Sequence, residues 1–231
     1  MRPAKRADPD QLNDPATRGH RPRLGVLGGS FDPVHNGHLF IGGELLRKGL
    51  VDEVLFVPAR LPPHKRLETL APPDHRLAMV RLATEDESAF SVSDVELQRV
   101  GTPSYTIDTL EILSSVYPGH DLVFVMGMDS LTELSTWWRA TELVARHSFL
   151  IYQRPGVRAP TFAALAGPFG PHLAQKLLDA IVEAGLMPVS ATDIRALVAA
   201  DRSLAGLTPA AVARYIKVNQ LYRPPKPEEA Q

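Results

Sequence analysis

Apolar residues along this chain alternate between short continuous runs and longer stretches in which they recur every three or four positions. The short runs predict buried strands at residues 24–27, 51–57, 90–97, 122–126 and 149–152, several rich in the β-branched and aromatic residues that suit a sheet covered on both faces. The helical repeat predicts helices at 39–50, at 74–84 with Asp74 as cap, and from Ser104 or Thr106 through Ile107, Leu110, Leu113 and Val116 or Tyr117. Further helices are expected at 171–184, at 196–200 behind Ser190 and Thr192, and from Thr208-Pro209 through Val212, Tyr215 and Ile216. Strand and helix alternation of this kind gives an α/β fold: a Rossmann-like, doubly wound, mostly parallel sheet with helices on both faces and ligands at its carboxyl edge.

Two details stand out within the elements. The 39–50 helix carries a Gly42-Gly43 pair, which costs about 1 kcal/mol per glycine relative to alanine and suggests close packing on the sheet. Residues 157–170, rich in Pro, Ala and Gly, show no decisive period. There are no internal repeats.

Composition narrows the classes. At 231 residues with 44% hydrophobic content the chain can bury the core of one large domain, assigned to residues 23–222. Residues 1–22 mix Arg, Lys, Asp and Pro without a hydrophobic period, and 223–231 are Pro-rich and acidic, so both are expected to be disordered tails. A net charge of −1 argues against a nucleic-acid surface. No cysteine is present, which removes disulfides, thiolate nucleophiles and cysteine metal sites. No apolar run approaches a membrane span and no signal-peptide core opens the chain, so a cytoplasmic protein without a membrane partner is expected.

The chemistry concentrates at residues 24–39, LGVLGGSFDPVHNGHL. A strand runs into a glycine loop and then a helix. Gly28 and Gly29 let backbone N–H groups approach phosphate oxygens and allow positive φ. His38 sits where a helix N-terminus favours an anion, and His35, three residues earlier, can reach the same ligand. An ordinary turn is the plainer reading of the glycines, and a zinc site that of the histidines. The second lacks both a cysteine and the Glu of a metalloprotease pair. Neither a P-loop ending nor the Gly-x-Gly-x-x-Gly dinucleotide fingerprint is present, which disfavours a dehydrogenase.

The stretch from Gly28 to His38 resembles the signature of the His-x-x-His adenylyl- and cytidylyltransferase superfamily. Pro62-Pro63-His64-Lys65, Ser104-Tyr105-Thr106, Trp137-Trp138 and Ser190-x-Thr192-x-x-Arg195 resemble motifs of its bacterial nicotinate-nucleotide adenylyltransferase branch. The likeness spans nearly all of residues 24–222. It implies transfer of AMP from ATP to nicotinate mononucleotide, forming deamido-NAD and pyrophosphate. Nicotinamide mononucleotide or another phosphorylated acceptor is the alternative, and a non-catalytic nucleotide sensor a more distant one. Phosphopantetheine is disfavoured by the extra segment before Ser190.

By that resemblance His35, His38, Lys65 and Arg195 carry the catalysis. Gly28, Gly29, Ser30, Phe31, His35, His38, Gly127, Asp129, Ser190, Thr192 and Arg195 are expected to bind ATP. Ser104, Tyr105, Thr106, Trp137 and Trp138 are expected around the nicotinate nucleotide, with the Thr106 main-chain N–H near the ring carboxylate. Several of these have simpler readings. Ser104, Thr106, Ser190 and Thr192 suit helix caps, Asp129 suits the start of a helix, Lys65 is a plausible surface cation, and one tryptophan can belong to the core. Mg2+ accompanies ATP, held mainly by phosphates and water, so no protein metal ligand is named. The partners are these small molecules, with a homo-oligomer left open.

Overall fold

The structure, a computed structural model, describes residues 21–62, 70–99, 101, 103–153, 157–183, 185 and 187–223. Six parallel strands form one sheet: β1 (Arg23–Gly29), β2 (Glu53–Pro58), β3 (Phe90–Val92), β4 (Asp121–Gly127), β5 (Ser148–Tyr152) and β6 (Ile181–Val182). Their order, β3-β2-β1-β4-β5-β6, turns back on itself at β1 and β4, leaving a crevice beyond the carboxyl ends of those two strands.

The helices among the described residues are α1 (Asn36–Arg47), α2 (Pro73–Thr84), α3 (Thr106–Val116), α4 (Met128–Glu133), α5 (Ala140–Arg146), α6 (Phe162–Phe169), α7 (Pro171–Asp179), α8 (Ala191–Ala199) and α9 (Ala210–Val218). Successive strand residues point to opposite faces, and the core divides accordingly. Val26, Leu55, Phe124 and Ile151 pack with residues of α3 to α7, whereas Leu27, Phe56, Val125 and Leu150 pack with α1, α2, α8 and α9. All four central strands bury both faces, which is why they read as continuous apolar runs.

Several boundaries move. α1 begins at Asn36 and ends at Arg47, earlier than the 39–50 expectation at both ends. Gly42 stands so close to Phe90 that an added Cβ would lie 2.9 Å from its Cζ, whereas Gly43 has nothing within 4 Å, so one glycine of the pair is needed for packing. α2 opens on Pro73 with Pro72 at the cap, so Asp74 lies in the first turn and is not the capping residue. The strand expected at 90–97 stops at Val92, and the segment expected to be helical at 171–184 instead divides into α7 and the edge strand β6. α6 forms where no period was visible. α8 begins at Ala191, five residues ahead of the expected 196. The expected tail at 1–22 lies outside the described residues up to position 20, as does the end of the chain from 224.

Candidate active site

Gly28 and Gly29 are the last residues of β1, beside the crevice. Neither takes a positive φ. What they contribute is the absence of a side chain: a Cβ on Gly29 would meet the Phe31 ring at 3.2 Å. They line a cavity of about 200 Å³ with Ser30, Glu96, Ser104, Thr106 and Trp137. A second space of about 340 Å³ shares Ser104, Thr106 and Trp137 and adds Tyr105, Thr136, Trp138 and Arg139. The glycine loop and the Ser-Tyr-Thr segment, far apart in sequence, thus open onto one continuous region.

His35 is the N-cap of α1 and His38 its third residue. Their rings stack with centroids 3.7 Å apart, and His38 Nδ1 accepts the His35 backbone N–H at 3.2 Å. Phe31, at φ 46°, turns its ring inward against Phe56 and the edge of His38. Phe31 is 1% exposed, so its ring belongs to the core and does not face the crevice.

The α3 N-terminus was expected to be capped by Ser104 or Thr106. Its N-cap is Tyr105, with no side-chain cap among the described residues. Ser104 Oγ instead accepts the N–H groups of Arg60 and Leu61, at 3.1 and 3.2 Å, joining the loop after β2 to the start of α3. The first-turn N–H groups of α3 can therefore serve another acceptor. The tryptophans lie between a short 3-10 turn (Leu134–Thr136) and α5, outside any helix. Trp137 goes inward, edge-to-face with Phe124, while Trp138 is 56% exposed and stacks on Tyr105 at 5.5 Å.

Ser190 Oγ accepts the N–H groups of Thr192 and Asp193, so it caps α8 as expected and occupies two donors an anion would otherwise use. The basic group at this place is Arg195, whose Nη2 donates to Thr192 Oγ1 at 3.2 Å and whose Nη1 donates to the Asp32 carbonyl at 2.7 Å. The chain ahead of α8 closes on the start of α1, where a Cβ on Gly37 would lie 3.3 Å from the Met187 carbonyl. Gly127 is buried as the α4 N-cap and Asp129 is exposed in the first turn of α4; neither lines the two cavities. Lys65 lies outside the described residues.

Three residues do more than the sequence suggested. Arg76, 1% exposed, donates to the carbonyls of Ser30, Ala59, Arg60 and Ala71, and so fixes the loops that leave β1 and β2. Burial lowers its pKa, and the charge of Asp32 opposes the shift. Its signal was legible: Arg76 shares an inward helical face with Met79 and Val80. Asp32 has a carboxylate 1% exposed that accepts from Ala71 N–H and the Tyr222 hydroxyl. Glu96, at the cavity wall, accepts the Thr109 hydroxyl at 2.8 Å. Its burial raises its pKa, against the opposing hydroxyls of Ser104 and Thr109 and the N–H of Arg60. Among the described residues no group of three or more His, Cys, Asp or Glu could hold a metal ion.

Comparison with known proteins bears on the family and the fold. The cytidylyltransferase-like family model matches residues 26–197. The chain is 40% identical over 200 residues to a protein of Symbiobacterium thermophilum, covering 87% of this chain and 95% of that one. It is 38% identical to one of Corynebacterium kroppenstedtii, covering 90% and 94%. Both are named as probable nicotinate-nucleotide adenylyltransferases. The solved structure of Plasmodium falciparum nicotinic acid mononucleotide adenylyltransferase complexed with NaAD has the same fold, with TM-score 0.69 and 17% identity over 87% of this chain and 97% of that one. From the glycine loop at the sheet's switch point to the Arg195 segment on α8, the chain belongs to the nicotinate-nucleotide adenylyltransferase family.

Proposed function

We propose that the chain transfers AMP from ATP to nicotinate mononucleotide, forming deamido-NAD and pyrophosphate in NAD biosynthesis. The observation that carries this reading is the continuity of the site. The Gly28-Gly29 strand end, the uncapped α3 N-terminus and Trp137 border one cavity, and the histidine pair and Arg195 both join the loop that follows those glycines. The names of the curated relatives support the acceptor.

No side chain in the motifs is an obvious covalent nucleophile, so the acceptor phosphate attacks the α-phosphorus of ATP directly, in line, with pyrophosphate leaving. Catalysis is then positioning and charge stabilisation. Gly28, Gly29, Ser30 and the Phe31 main chain hold phosphate oxygens, with Gly127, Asp129 and Ser190 on the ATP side. His35 and His38 stabilise the transferring phosphoryl group. Arg195, with Thr192 and Lys65, takes the charge of the departing pyrophosphate. Tyr105, Thr106, Trp137 and Trp138 surround the pyridine ring, and the N–H groups at the α3 start donate to its carboxylate. Mg2+ would enter with ATP as part of the substrate and neutralise phosphate charge, with no residue of this chain assigned as its ligand. With no described helix long and apolar enough to cross a membrane, and with small-molecule partners, we assign the reaction to the cytoplasm.

The test is pyrophosphate release from ATP and Mg2+ with nicotinate mononucleotide, nicotinamide mononucleotide or phosphopantetheine offered separately. Marked preference for the first is expected. Equal use of both pyridine nucleotides would make the enzyme dual-specific. Release with phosphopantetheine alone would overturn the assigned acceptor, and ATP binding without turnover on any of the three would replace the enzyme with a nucleotide sensor.

A further inference from the structure

Beyond α9 the chain adopts an unusual path. Gln220 and Tyr222 both take left-handed conformations, φ 51° and 64°, which non-glycine residues hold only when surrounding contacts enforce them. Among the contacts this path makes, the Tyr222 hydroxyl donates to Asp32 Oδ1 at 2.8 Å, joining positions 190 apart in sequence.

Asp32 divides its acceptors. Oδ1 takes the Tyr222 hydroxyl and the Ala71 N–H, at 2.8 and 3.0 Å. Among the described residues Oδ2 has no hydrogen-bond partner, and it stands 3.6 Å from Arg195 Nη1, the same nitrogen that donates to the Asp32 carbonyl at 2.7 Å. Two neutral donors thus saturate one oxygen and fix the carboxylate plane. The other oxygen and the main-chain carbonyl are left to anchor one end of the guanidinium. The rest of Arg195 is partly exposed and turned toward Thr192.

We propose that Tyr222, acting through the Asp32 carboxylate, is a positioning residue for Arg195, holding the guanidinium where it meets the phosphates of ATP. This rests on the reading of Arg195 as a phosphate contact. Without the phenol hydroxyl, Oδ1 loses a donor in a site that water scarcely reaches, and the nearest charged replacements are Arg195 and Arg76. A carboxylate free to turn draws the Arg195 guanidinium inward and away from substrate. Burial, together with the charge of Asp32, keeps the phenol protonated far above its ordinary range, so it donates at every working pH.

The test is a double-mutant cycle on full-length protein: Tyr222→Phe, Arg195→Ala and the pair, with kcat, KM for ATP and KM for nicotinate mononucleotide measured for each, alongside thermal melts. Tyr222→Phe should weaken kcat/KM for ATP on the order of tenfold and leave KM for nicotinate mononucleotide within about twofold. That loss should vanish when Arg195 is already Ala, the non-additivity expected of groups acting as a unit. Additive losses beside an impaired Arg195→Ala would overturn the proposal alone. Unchanged ATP kinetics in Arg195→Ala would overturn the reading of Arg195 and the proposal with it. If Tyr222→Phe does not fold, Asp32→Asn takes its place in the cycle, with the same two outcomes.

Discussion

The imidazole rings of His35 and His38 stack at 3.7 Å with planes 26° apart, and His38 Nδ1 accepts the backbone N–H of His35. A ring nitrogen accepting an N–H carries no proton of its own, so the neutral His38 ring holds its proton on Nε2. The helix cap therefore selects the tautomer that can donate to a phosphate. His38→Ala removes both that donor and the Nδ1 acceptor of the His35 N–H at the start of α1. Turnover should fall by about 10²–10³-fold, the scale of losing one donor to developing charge. Steady-state kinetics on a variant with native circular dichroism reads this out, and an undiminished kcat would take His38 out of the chemistry.

Two adjacent glycines should respond oppositely to alanine. Gly42→Ala forces a methyl to within 2.9 Å of the Phe90 ring, which is itself packed on Phe56, and should cost about 1–3 kcal/mol. Gly43→Ala meets nothing within 4 Å and should gain up to about 1 kcal/mol from helix propensity. Urea midpoints of the two variants should fall on either side of the parent.

Arg76→Met keeps the bulk of a buried side chain and removes the donors to four carbonyls. Stability should drop by about 3 kcal/mol or more, because those carbonyls lose partners and Asp32 loses a neighbouring charge. Arg76→Lys should recover only part of it, since an ammonium cannot reproduce the planar fork. Chemical denaturation measures both.

Glu96 offers a pH test. The carboxyl is 7% exposed and burial raises its pKa above the ordinary 4.5, so the folded chain binds this proton more tightly than the unfolded one. The stability it contributes is complete below pH 4.5 and is lost as pH rises through the higher folded-state value. Glu96→Gln retains an acceptor for the Thr109 hydroxyl without the ionisation. The melting temperature of the parent should decline relative to this variant as pH rises above 4.5. Parallel profiles would show that Glu96 does not titrate in that window.

The local pattern by itself determined much of this protein. Continuous apolar runs specified β1, β2, β4 and β5 because strands covered on both faces need no polar alternation, and Ser190 was legible as the cap of α8 although the helix was expected to start five residues later. The glycine and histidine loop was legible as a motif of adjacent residues, and the family resemblance it supported extends over most of the chain. Edge strand β6 has two residues, too few to print a period, and α6 lies in a stretch with no clear face. Capping at α3 failed as a sequence inference because the Ser104 hydroxyl had a better use between two backbone N–H groups of a distant loop. Only the tertiary structure decided which glycine of the 42–43 pair is required, which tryptophan turns inward, and that Arg76 braces two loops. It also brought Tyr222 to Asp32 and Asp32 to Arg195. Such roles depend on partners up to 190 positions away, and a chain encodes those through the sum of its packing rather than through any neighbouring residues.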